Sequence, residues 1–301
     1  MKIVVILFVL MASSMFAQND TYTESVTVYG CIEIEKGIHI KQTEVSLGDW
    51  FAFIYDQYPD GDVNEIEHLL PILPDTSSLK VISYFKRNYE VDKEQWKEVS
   101  VSEKASYFPL MLSKLEKKDL TRIKRFCNMP VTGLSEGQIS QYLEWQTNKL
   151  MIIEKQEEFQ EYSMLLSLPT EAIYEKLLYT ARRSTMDSVA ASQSIGDSVN
   201  IKGCPFFNFY SETECKTKEL RIKLYGSPYG LTEIQSYFPD QLGLYNILGN
   251  VSEMTNKKNI VFGGNYSNFA SQILEEPFQK VELPNNLVGF RYLVTLQPYN
   301  D

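Results

Sequence analysis

The sequence predicts one domain of mixed helices and strands with a large irregular share. Three observations carry that reading. The run "SVTVYGCIEIEKGIHIKQTEVS" (25–46) alternates apolar and polar residues, Ile32 and Ile34 against Glu33 and Glu35. That is the period of a strand with one buried face. Two later runs, opening at Ser135 and Thr170, place a cap residue before apolar residues recurring at helical spacing. From Ser184 to Gln241 the pattern breaks into short segments and turns rich in Gly, Pro, Ser and Asn.

Taken in order, the opening strand ends where Ser46 can cap the helix "LGDWFAFIYDQ". Asp49 in its first turn suits the helix dipole, and Leu47, Trp50, Phe51 and Ile54 make its apolar stripe. "YPDGD" is a turn cluster, "LKVISYF" reads as a strand, and "DKEQWKEVSVSEKASYFPLMLSKLEKK" reads as mostly helical. These lie in 56–125, which has no core pattern of its own and is expected to be an insertion in a single domain spanning 28–298. Ser135 with Gln138 forms a capping box, followed by Ile139, Tyr142, Leu143 and Leu150 on one face. Pro169 blocks the next helix upstream and Thr170 caps it. Its buried stripe is Ile173, Tyr174, Leu177, Leu178 and Ala181. "GFRYLVTL" is a terminal core strand.

The chain has 301 residues, 44% of them hydrophobic, enough for a large core. Its net charge of -10 argues against a nucleic-acid ligand, which needs a basic face. The one basic stretch, "KLEKKDLTRIKRF", reads as a solvated helix face. The N-terminus "MKIVVILFVLMASSMFAQND" has one lysine, a short apolar run and small residues. It reads as a secretory signal peptide over 1–17, cut near Ala17, with an uncleaved anchor as the alternative. The protein is therefore expected to be exported: periplasmic, in the cell envelope, or secreted. No later run is long and apolar enough to cross a membrane. The cysteines are Cys31, Cys127, Cys204 and Cys215. Cys204 and Cys215 are close enough in sequence to close a disulfide loop, and four free thiols are the alternative.

The order of motifs is more specific than any one of them. The strand, "EVS" plus helix, "PVTGLS" plus helix, "LPTEA" plus helix, "FPDQLGLYNILGNVSEM", "GGNY" and "GFR" follow one another. This order resembles the formylglycine-generating enzyme (sulfatase-modifying factor) family, over roughly Val28 to Leu296. There the corresponding runs look like "EVT", "PVxxVSW", "RLPTEAEWE", "NxxGLYDMxGNVWEW", "RGGSW" and "GFR". The resemblance implies an α+β fold with little regular structure, related to the C-type-lectin architecture. It also implies a structural calcium site, with the side chains of Asn246 and Glu253 and the carbonyls of Gly249 and Val251 as ligands. Such a set is chemically reasonable, because calcium takes about 6–8 oxygen ligands. The alternative is a plain Gly-Asn turn with Asn250 at positive φ. Asn246 stands where the family often has aspartate.

The family's oxidases hold copper(I) with two cysteines shortly after the "RGGSW"-like turn. Here Cys215 is the last cysteine, and Ser267 and Asn268 follow the Gly263–Gly264 pair instead. A hydroxyl is a poor copper(I) ligand, so no copper is expected. A related branch binds iron with three histidines, and this chain has two, His39 and His68, each read as a core-edge or surface residue. Adjacent acids such as Glu275 and Glu276 point apart and read as solvated charges. Glu171 and Glu175 read as helix-face and cap-region charges, and Arg291 as an internal ion pair or carbonyl contact. The resemblance therefore implies a catalytically silent binding or structural module, with 19 tyrosines available for recognition of a protein, peptide or glycan. Similar domains occur in gliding and protein-secretion machineries. The alternative is an oxidoreductase, or another enzyme of altered chemistry, acting on a peptide or protein. In either case the groove would lie around Ser267 and Asn268.

Overall fold

A computed structural model describes residues 28–57, 127–153, 162–188, 207–210, 230–237 and 239–299. The expected signal peptide, nearly all of the 56–125 insertion, His68, Cys204 and Cys215 lie outside them. The run predicted as one opening strand is a hairpin: β1 (Cys31–Glu35) and β2 (Ile38–Lys41) pair antiparallel, with Cys31 opposite Lys41. The alternation holds on β1, where Glu33 and Glu35 are exposed and Ile32 and Ile34 turn inward. It breaks at Lys36–Gly37, where the chain reverses.

Ser46 caps α1 (Leu47–Gln57) as expected, with a reciprocal bond that the residue pattern did not suggest. The Asp49 amide donates to Ser46 Oγ at 3.0 Å, and the Ser46 amide donates to Asp49 Oδ2 at 2.9 Å. Asp49 thus completes a capping box in the place usually held by Glu or Gln. The stripe on α1 is Leu47, Trp50, Phe53 and Ile54; Phe51 is only partly buried and gives way to Phe53, three residues beyond Trp50. The Ser135–Gln138 box opens α2 (Glu136–Ile153), and all four predicted inward residues are buried. Trp50 stacks on Tyr142 with centroids 5.3 Å apart, and the Phe290 ring meets Tyr142 edge-on at 5.5 Å. Such pairs add about 0.5–1.5 kcal/mol each to the area they bury.

β3 (Tyr162–Ser167) follows, then α3 (Glu171–Ser188), whose Ile173 amide donates to Thr170 Oγ1. Tyr174, Leu177 and Leu178 are buried on α3 and Ile173 is partly so. The C-terminal part supplies β4 (Ser252–Met254), β5 (Ile260–Phe262), the short α4 (Ala270–Glu275), β6 (Phe278–Lys280), β7 (Val288–Gly289) and β8 (Leu293–Pro298). One sheet has the order β1-β2-β8-β3 and the other β6-β5-β4-β7. The predicted terminal strand is split, since Phe290 to Tyr292 leave the ladder and turn the Arg291 side chain into the core.

Three sequence motifs meet between the sheets. The Val45 amide donates to the Phe290 carbonyl, the Val131 amide to the Val45 carbonyl, and the Leu47 amide to the Met129 carbonyl. The "EVS", "PVTG" and "GFR" runs are thus laced by backbone bonds. Glycine is required where the next motif closes on them. Gly249 has φ +79, and a Cβ there would stand 2.6 Å from the Asn208 carbonyl oxygen. We expect Gly249→Ala to cost about 1–3 kcal/mol from backbone strain alone. Gly137→Ala on α2 meets nothing nearer than 4.0 Å and should be neutral or stabilising by about 0.5–1 kcal/mol. Urea denaturation of both variants checks this, and equal effects would contradict it.

Candidate functional site

The turn from Asp240 to Glu253 is built around Arg291. The Arg291 guanidinium is fully buried, and its five N–H donors all find acceptors. Nε donates to Glu253 Oε2 at 2.6 Å and Nη2 to Oε1 at 2.5 Å. The remaining donors reach the carbonyls of Lys41, Gln42 and Tyr245. Tyr174, from α3, donates its hydroxyl to Glu253 Oε2 at 2.9 Å. Burial pushes the Tyr174 phenol well above its ordinary pKa, so it stays a donor. Burial alone would lower Arg291, but the charge and hydrogen bonds of Glu253 outweigh it and raise its pKa. The expectation of an internal ion pair and carbonyl contacts for Arg291 holds on both counts.

A second buried carboxylate, Glu44, lies within electrostatic reach of this pair and was not singled out in the sequence. It accepts from Asn250 Nδ2 at 2.8 Å and Asn246 Nδ2 at 3.2 Å. Asn250 has φ 59, the positive value expected of a Gly-Asn turn. Its Oδ1 accepts from Asn208 Nδ2 and from the amide and hydroxyl of Thr232. Arg291 spends its donors on Glu253 and on carbonyls, and acts on Glu44 only through space. Burial raises the Glu44 pKa from 4.5 to about 7; Arg291 opposes the rise and Glu253 adds to it.

The four residues expected around calcium sit on this turn. Asn246 Oδ1 is buried without a partner, as a cation ligand's oxygen would be. Glu253 does not fit that role as placed. Both its oxygens face a guanidinium that already neutralises it, so its charge is not available to a divalent ion. As placed, the one carboxylate of this set is already engaged by Arg291 and Tyr174.

Beyond β5 the Gly263–Gly264 turn leads to the two groove candidates. Gly264 has φ +65, and a Cβ on it would come within 2.3 Å of Ile273 Cγ1. Asn265 organises the rest of the turn. Its Nδ2 donates to Ser252 Oγ, and its Oδ1 accepts from the Ser267 amide and, at 2.6 Å, from the Ser267 hydroxyl. Asn268 Oδ1 accepts from the Asn265 amide at 3.0 Å. Ser267 is exposed and Asn268 half-exposed, and both are tied into the turn. The Tyr210 amide donates to the Asn268 carbonyl, and the Tyr210 ring meets Phe269 at 4.8 Å, a pairing the sequence did not suggest. Elsewhere, His39 is buried on β2, Glu171 pairs with Lys257, and Glu175, Glu275 and Glu276 are exposed.

The sulfatase-modifying factor enzyme 1-like domain model matches residues 16–296. This chain belongs to that family. Its α+β organisation, with two small sheets and helices packed between long irregular turns, is the family's fold. No curated protein matches the chain. Among solved structures it is similar to CarF, at 20% identity and a TM-score of 0.29, over 45% of this chain and 49% of CarF. It is also similar to PvdO from Pseudomonas aeruginosa, at 14% identity and a TM-score of 0.34, over 56% of this chain and 63% of PvdO. The chain spans about half the length of CarF and under two thirds of PvdO. In this sulfatase-modifying-factor-like domain the stretch after the glycine pair carries amides and hydroxyls but no thiol. Among the described residues no helix is long and apolar enough to cross a membrane.

Two measurements check this site. The folded state holds the Glu44 proton more tightly than the unfolded chain, so this group's contribution to stability falls as pH rises from 4.5 to about 7. The full fall is about 3 kcal/mol. Glu44→Gln should lose that slope, read as the wild-type minus variant stability in urea at either end of this range. A difference independent of pH would contradict it. Calcium at about 1 mM should leave the melting temperature unchanged relative to a chelator, whereas a ligand at a hundredfold excess over its Kd adds about 2.7 kcal/mol. A rise of several degrees would show that Glu253 leaves Arg291 for the ion.

Proposed function

We propose that this chain is an exported binding or structural module of the cell envelope that keeps the family's scaffold without its copper and oxygen chemistry. One observation carries the reading. The family's oxidases have their metal thiols shortly after the turn that holds Gly263 and Gly264, and here residues 265–292 carry no cysteine and none follows Cys215. Copper(I) is held by soft thiolates, and neither hydroxyl nor amide oxygen replaces them. The local bonding supports the same reading. The Ser267 proton is directed at Asn265 Oδ1 and the Asn268 amide oxygen caps the Asn265 N–H, so both side chains serve to shape the turn. Cys31 and Cys127 lie elsewhere, the first against the core and the second beside Gly48 at the start of α1.

A rigid framework with a variable loop suits recognition, since loop residues can change without loss of the core. The partner class is a protein, peptide or glycan of the envelope. The expected outcome of a copper(I) titration under reducing conditions is no stoichiometric binding. A cysteine-bearing sulfatase peptide incubated with protein, copper and oxygen should remain unmodified by mass spectrometry. Tight one-to-one copper(I) binding with oxygen-dependent conversion of that cysteine would sink the proposal.

A further inference from the structure

The Tyr210–Phe269 corner beside the glycine turn has a chemistry that selects among those partner classes. The two rings stand at 83° with centroids 4.8 Å apart, and they keep 37% and 41% of their surface exposed. They are fixed from below: a parallel backbone bridge joins Tyr210 to Phe269, and the Tyr210 amide donates to the Asn268 carbonyl. The Phe269 amide is itself held by Gln272 Oε1 at 3.1 Å. A corner pre-set in this way loses little freedom on binding.

The surroundings are unusual for this chain. Charged residues make up 23% of the sequence, yet from Asn259 to Leu274 there is no Asp, Glu, Lys, Arg or His. The segment 207–210 that meets it is also uncharged. Among the described residues of these two stretches the exposed polar groups are neutral: Ser267, Ser271 and Gln272, with Asn268 half-exposed. Ser267 directs its proton at Asn265, which leaves its oxygen as an acceptor for an incoming hydroxyl. Among the described residues from 207 to 210 and from 259 to 274, an acidic or basic partner would find no counter-charge. A peptide β-strand would need an open ladder edge, whereas the local backbone is a turn leading into a short helix. A pyranose offers what the corner lacks: a face of C–H bonds for a ring face, which is the negative part of the aromatic quadrupole. It also carries neutral hydroxyls that match neutral amides and hydroxyls.

We propose that the Tyr210–Phe269 corner binds a neutral glycan. This rests on the binding-module reading and narrows it. The test titrates the full-length chain with maltohexaose, cellohexaose, chitohexaose and mannohexaose, followed by 15N chemical shifts. Hexalysine and hexaglutamate serve as charged comparators. At least one sugar should shift resonances of Tyr210, Phe269 and Ser267. Phe269→Leu, which keeps apolar area without a ring face, and Tyr210→Ala should each weaken it about tenfold, about 1.4 kcal/mol. Tyr210→Phe should retain it, and melting temperatures check that each variant is folded. A null result with all four sugars, binding unaffected by both ring variants, or a response at these residues to a charged peptide alone would overturn the proposal. None of those results touches the absence of copper chemistry, and copper binding would sink the module reading without altering this titration.

Discussion

The structure depends on a buried cation with every donor satisfied. Arg291 enters from the break between β7 and β8 and bonds to the end of β2, to the Tyr245 carbonyl and to Glu253 on β4. Tyr174 ties α3 to the same carboxylate. Both sheets and one helix thus share a single polar centre, enclosed by two apolar clusters. A buried ion pair adds little net stability, because desolvation offsets most of the attraction. Its consequence is geometric. Misplacing any of these segments leaves a charge without partners in the interior, so the arrangement is specified more sharply than apolar packing alone would specify it.

That centre also sets the character of the neighbouring turn. Glu44 has no cation of its own, so burial favours its neutral form, and amides rather than charges connect it outward to Asn208 and Thr232. From there the Asn250 carbonyl accepts from the Tyr266 amide, and Gly249 bonds to Gly263, which fixes the glycine pair beside the core. The segment beyond is rigid at its base and uncharged at its surface. A frame of this kind can present recognition groups without holding a metal.

Much of the frame was legible in the sequence because its signals are local. The Ser135–Gln138 box, the Pro169–Thr170 entry to α3 and the positive φ of Asn250 each depend on residues within a few positions. The motif order pointed to the family, since spacing along the chain survives when individual residues change. What was not legible depends on distant partners. Glu44 and Asn250 are 206 positions apart, and nothing in "TEVS" distinguishes a buried glutamate from a solvated one. The break of the opening strand at Gly37 was hidden by alternation that continues on both sides of the turn. Phe53 displaced Phe51 because helix rotation against α2 decides between two equally apolar residues. The Tyr210–Phe269 corner joins segments that carry no shared pattern.

The interaction at the centre is tested most directly by a double-mutant cycle on Arg291 and Glu253. Arg291→Met alone leaves the buried Glu253 carboxylate without its cation and should cost about 3–5 kcal/mol in urea denaturation. Adding Glu253→Gln removes the charge that Arg291 compensated, so the double variant should be more stable than the sum of the two single losses by at least about 1 kcal/mol. If the two losses simply add, the pair is not what holds the sheets together, and the account of this fold would have to be rebuilt around apolar packing alone.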